Sequence, residues 1–81
     1  MSRATLREIK ATLESIADGV LLNPASEDAA FWAQRVKDIV PTLETFRAVR
    51  AEASVASYAF AKMGDTYTAD LFEDALGMVR P

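Results

Sequence analysis

Neither cysteine nor histidine occurs among the 81 residues, and glycine and proline contribute three each. Without cysteine there are no disulfides and no thiolate nucleophile. Without histidine there is no Ser-His triad, and the loss of both residue types removes the ordinary zinc ligands. The few glycines form no Gly-rich turn of the kind a hairpin needs, and no segment alternates apolar and polar residues as a strand does. Apolar runs fall well short of the roughly 20 residues that cross a bilayer. Arg3, Arg7, Glu8 and Lys10 interrupt the N-terminal segment, so it lacks the apolar stretch of a secretory signal. A cytoplasmic location without membrane insertion is the expectation.

What is present suits a single folded helical domain over residues 1–81. Half of the chain is hydrophobic (51%) and a quarter is charged (26%), a balance that separates it from disordered chains. The net charge of −3 and the pI near 4.8 count against nucleic acid as a partner, because neutralising phosphates requires a basic face. Arg3, Arg7 and Lys10 form the basic cluster, a solvated face with Lys10 in reach of Glu14. Asp65, Asp70, Glu73 and Asp74 gather acidity at the other end. Such a split suits head-to-tail association.

Apolar residues recur at threes and fours. Leu6, Ile9, Leu13, Ile16 and Val20 form a seam after the capping-box pair Thr5 and Glu8, with Ser2 as the alternative cap. Gly19 is one candidate end, and the alternative is that Val20, Leu21 and Leu22 carry the helix on to Asn23-Pro24. Ser26 with Glu27 and Asp28 opens a second helix, whose seam is Ala29, Trp32, Val36, Ile39 and Leu43. Phe31 and Trp32 are adjacent and point about 100° apart, so one of them leaves that seam. Pro41 reads as the start of a third helix that ends at Gly64. This helix is apolar on most sides: Leu43, Phe46, Val49, Ala53, Ala56, Phe60 and Met63 on one face, Ala48, Ala51, Val55 and Ala59 on another. It is therefore expected to be the buried hub of the fold. Asp65, Thr66 or Thr68 caps a last helix through Leu71, Phe72, Ala75, Leu76 and Val79. The expected fold is an all-α compact bundle of three to four helices (about 3–21, 26–40, 41–63 and 67–79) with no sheet. With neither metal nor disulfide, so small a core favours a homodimer that shares apolar surface.

Chemistry finds no foothold in this pattern. Asp70, Glu73 and Asp74 lie at i, i+3 and i+4, but no calcium loop surrounds them. Ser54 and Ser57 have no histidine, and Lys62 is at least a helical turn away. No catalytic residue, cofactor or metal is assigned, and an enzyme is not expected. The string Gly64-Asp65-Thr66-Tyr67 with Phe72 and Ala75 is similar to a fragment of a tetratricopeptide repeat. Nothing repeats at that family's period of about 34 residues, so no family is assigned.

Binding is the class that remains: a small acidic protein-protein interaction module acting stoichiometrically as inhibitor, adaptor or regulator of a larger protein. An origin in a virus or mobile element is compatible with this reading, although no residue speaks to it. Candidate contact residues are Phe31, Trp32, Tyr58, Tyr67, Phe72 and Met78, the aromatics and methionine hardest to place wholly inside. The alternatives are a helix-turn-helix-like DNA-binding regulator and a structural or assembly component of a multi-subunit particle.

Overall fold

The computed structural model describes residues 4–78, which form an all-α bundle of four helices with no strand among them. In chain order these are α1 (Leu6–Leu22), α2 (Glu27–Ile39), α3 (Phe46–Lys62) and α4 (Thr66–Gly77), with a 3₁₀ turn at Val40–Thr42. Ser2, Arg3 and Val79 lie outside the described residues.

Each helix starts on a side chain that satisfies an otherwise unpaired backbone donor. Thr5 and Glu8 form a reciprocal box: the Glu8 N–H donates to Thr5 Oγ1 at 3.1 Å and the Thr5 N–H to Glu8 Oε1 at 2.8 Å. Ser26 accepts from Ala29 N–H, Thr45 from Ala48 N–H and Asp65 from Thr68 N–H, each at 3.1 Å. At the other end of α3, Gly64 adopts φ +86°, a left-handed conformation that lets the chain turn directly into the α4 cap.

Three sequence expectations change. Gly19 does not end α1, which continues through it to Leu22 and is closed by the Asn23 N–H donating to Val20 O. Pro41 does not start α3. It sits in the first turn of the 3₁₀ segment, the chain becomes extended at Leu43 (φ −83°, ψ 132°), and α3 begins only after Thr45. The carbonyls exposed by this break find a partner in Lys10, whose ammonium donates to Pro41 O at 3.2 Å and Leu43 O at 2.9 Å. Lys10 therefore closes a corner of the fold, where pairing with Glu14 was expected.

The third change concerns the hub. α3 buries Val49, Ala53, Ala56 and Phe60 of the first face and Ala59 of the second, but Ala51 and Val55 are exposed and Phe46 is 44% exposed. Alanine is the best helix former and loses nothing in water, so an alanine-rich face marks helix propensity as readily as burial. α3 is amphipathic, and its outward face meets solvent.

The core runs through all four helices: Ile9, Leu13 and Ala17 of α1, Ala29, Ala33 and Val36 of α2, Val49, Ala53, Ala56 and Phe60 of α3, and Ala69, Phe72 and Ala75 of α4. Packing is most extensive between α3 and α4, then between α1 and α2, while α2 and α3 meet over little surface. Phe60 and Phe72 stack at the first of these contacts, with ring centroids 5.7 Å apart and planes at 22°. Beside them the buried Ser57 hydroxyl lies 3.0 Å from Ala69 O and 3.2 Å from Glu73 Oε2, and donates its single proton to this pair of acceptors. Small residues on both helices allow this close approach.

Two outcomes follow. Phe60→Ala should cost about 3–5 kcal/mol, a large share of the roughly 4–12 kcal/mol expected for a chain of this size, so its midpoint in a urea titration followed by circular dichroism should fall well below that of the wild type. Acidification should loosen α1 at its start. The Thr5 backbone N–H, helped by the Thr5 side chain, holds the Glu8 carboxyl below its ordinary value. That contribution is complete above the ordinary glutamate range and is lost as pH falls through the lowered value. Reduced amide protection, relative to the intrinsic exchange rate at the same pH and confined to the start of α1, is the expected signature at low pH.

Candidate interaction surface

The six candidate contact residues occupy different environments. Phe31 is 64% exposed on the outer side of α2 and is the member of the Phe31–Trp32 pair that leaves the seam. Its ring meets Trp32 edge-on, with centroids 5.8 Å apart at 87°, while Trp32 is half-buried against the core. Tyr58 projects from the outward face of α3 with the Lys62 ammonium 5.6 Å from its ring centre. Tyr67, in the first turn of α4, is the most exposed of the aromatics at 75%. Met78 is half-buried at the end of α4. Phe72 is not a surface residue: its ring is fully buried on Phe60, because its position on α4 faces α3. The fold does not gather the exposed aromatics. Phe31 borders a shallow depression with Gln34, Arg35, Asp38 and Ile39, and Tyr67 borders a separate cleft.

That second cleft is larger than the depression beside Phe31, which holds about 240 Å³. It holds about 520 Å³ between the C-terminal half of α1, the α1–α2 connection and the start of α4. Ile16, Val20 and Leu71, each half-buried, give it an apolar floor, and Ser15, Asn23, Asp65 and Thr68 supply polar groups around it. Gly19 is among its lining residues, and a Cβ built there would stand in open space with nothing within 4 Å. Sequence reasoning placed Ile16 and Val20 in the core seam and Gly19 at a helix end, so it did not find this cleft. The one available signal was the apolar run Val20-Leu21-Leu22 next to the expected helix end. Leu22 is 88% exposed.

A second unforeseen feature sits where α2 and α3 meet thinly. Glu52 is only 7% exposed, although glutamate is rarely buried unless paired. Its Oε1 accepts from an Arg35 terminal nitrogen at 3.4 Å, and the Arg35 guanidinium also lies 5.4 Å from the Trp32 ring centre. Glu52 Oε2 and Arg35 Nε are both buried without a partner. These two orphans are a donor and an acceptor on the paired groups, the complement required for the parallel two-bond fork natural to arginine and carboxylate. Elsewhere Lys37 pairs with Asp18 across α1 and α2, and that carboxylate raises the lysine above its ordinary value.

The groups weighed for catalysis are engaged or dispersed. The Ser57 proton goes to Ala69 O and Glu73, Lys62 rests on Tyr58, and Asp70 and Asp74 are exposed on the outer side of α4. Among the described residues no group of three acidic side chains is disposed to hold a metal ion, and no helix is long and apolar enough to cross a membrane. Set against protein-family models, curated proteins and solved structures, the chain finds no match.

Removing one member of the buried ion pair should cost more than removing both. Arg35→Met strands the Glu52 carboxylate and should destabilise by about 1–3 kcal/mol, below the 3–5 kcal/mol typical of fully buried pairs because the arginine is 38% exposed. Adding Glu52→Leu should recover most of that loss in a double-mutant cycle. Strict additivity of the two changes would show that the pair is not coupled.

Proposed function

We propose that this chain is a non-catalytic protein-interaction module that acts stoichiometrically on a larger cytoplasmic protein, as its inhibitor, adaptor or regulator. It takes an apolar segment of that protein into the cleft between α1 and α4. The observation that carries the reading is the cleft itself: about 520 Å³ with an apolar floor of Ile16, Val20 and Leu71 and an exposed Tyr67 at its edge. Binding sites are characteristically concave, mostly apolar and marked by a few placed polar groups. An amphipathic helix laid into such a groove is a recurrent mode of recognition, and tyrosine is among the residue types that most often supply binding energy once a partner covers them. A glycine in the middle of a helix costs about 0.5–1 kcal/mol relative to alanine, and at Gly19 it borders open space that a larger side chain would occupy. A homodimeric state belongs to the same reading.

The test uses affinity capture from a lysate of the source cells, comparing wild type with Gly19→Ala, Gly19→Leu and Tyr67→Ala. A single protein retained in stoichiometric amount by wild type and Gly19→Ala, and reduced at least about tenfold by Gly19→Leu and Tyr67→Ala, is the expected result. Tenfold corresponds to the roughly 1.4 kcal/mol that one lost apolar contact supplies. Equal retention by all four proteins, or catalytic turnover by the purified chain, would overturn the reading.

A further inference from the structure

We infer that the outward face of the α3–α4 hairpin is a self-complementary interface, on which a second copy of this chain docks about a two-fold axis running parallel to the two helices. The inference rests on the homodimeric part of the proposed function and is independent of the cleft, which opens on the other flank of α4.

The charges on the two helices are segregated. The outward face of α3 carries Arg47, Arg50 and Lys62, whereas its one acidic residue, Glu52, is buried and engaged by Arg35. The outward face of α4 carries Asp70, Glu73 and Asp74 and no basic residue. Ion pairs among the described residues join Arg35 to Glu52 and Lys37 to Asp18, so neither face is neutralised by them. In a chain of net charge −3, this leaves a basic strip lying beside an acidic strip on one continuous surface. Between the cations, Ala51 and Ser54 are small and exposed, and Tyr58 stands at the centre of the strip.

The register follows from contacts already described. α3 and α4 are joined by the short turn Met63–Asp65 and run antiparallel, and Ser57 is level with the Ala69–Glu73 turn. At 1.5 Å per residue, Arg50 lies about 6 Å along the axis from the level of Asp74, and Lys62 about 6 Å from that of Asp70. Both offsets are within reach of a long basic side chain. A two-fold axis parallel to the helices preserves these levels while placing α3 of one protomer over α4 of the other. Each Arg50 then faces an Asp74 and each Lys62 an Asp70, and symmetry repeats both contacts. An axis perpendicular to the helices would instead set α3 on α3 and α4 on α4, opposing like charges, which costs binding free energy. A hairpin face of this length buries on the order of 1,000 Å² in total, at the low end of specific interfaces. The dimer is accordingly weak and sensitive to salt.

A reciprocal charge exchange tests this directly. Sedimentation equilibrium at low salt should give wild type a mass approaching twice 8.8 kDa, falling towards a single chain as salt rises. The variant Arg50→Glu with Lys62→Glu, and separately Asp70→Lys with Asp74→Lys, should each weaken self-association by about tenfold or more, since like charges now face each other. Mixing the two variants should restore a closed one-to-one dimer, because both contacts are again between opposite charges. Circular dichroism confirms that each variant keeps its helices. A wild type that stays monomeric at low salt, a dimer indifferent to both substitutions, or assembly that grows without closing would each overturn the inference. So would binding of a DNA duplex that is lost in the Arg50→Glu, Lys62→Glu variant, since the basic strip would then serve phosphate. Loss of cleft-dependent capture with the dimer intact would count against the proposed partner alone.

Discussion

The close packing of α3 on α4 is the contact on which the rest of the molecule depends. Phe60 and Phe72 are the largest fully buried side chains, and they meet each other. The other buried residues of these two helices are mostly alanines, with Val49, Glu52, Ser57 and Thr68, so the helix backbones approach closely and the rings fill what space remains. A core with this many alanines has little volume to spare, and truncating a ring within it leaves a cavity that small neighbours cannot fill. α1 contributes Ile9 and Leu13, and α2 contributes Val36, against the surface that this pair presents. Where α2 and α3 meet over little surface, a half-paired Arg35 and Glu52 occupy the contact.

Capping and corner closure complete the fold at low cost. Four short polar side chains, Thr5, Ser26, Thr45 and Asp65, each fix where a helix begins. Lys10 does comparable work at the break after α2, where Pro41 and the extended Leu43 leave carbonyls that no helix can satisfy. One ammonium group thereby ties the first helix to the connection between the second and third.

The outer surfaces divide by chemistry. One flank of α4 borders a cleft with an apolar floor, and its outward side is acidic beside the basic strip of α3. Apolar concavity and segregated charge make different demands on a partner: the first rewards shape and burial, the second rewards orientation and weakens with salt. A chain this small presents both because all four of its helices lie at the surface, and each has an outward side left over from the core.

Periodicity alone was enough to establish the all-α class, the seams through Ile9, Leu13 and Val36, the caps at Thr5 and Ser26 and the turn at Gly64, because these depend on neighbours within a turn or two of chain. Tertiary contact settled the rest. It placed Phe72 inside while leaving Tyr67 out, carried α1 past Gly19, delayed α3 until Thr45, and turned the Ala51 and Val55 side of α3 to solvent. The physical reason is that spacing identifies which residues share a helix face, but whether a face is covered depends on how many neighbouring helices reach it. Alanine, equally at ease in water and in a core, gives no sign of which. The cleft was hidden for the same reason: Ile16 and Val20 belong to a seam that the bundle covers fully only at Ile9, Leu13 and Ala17.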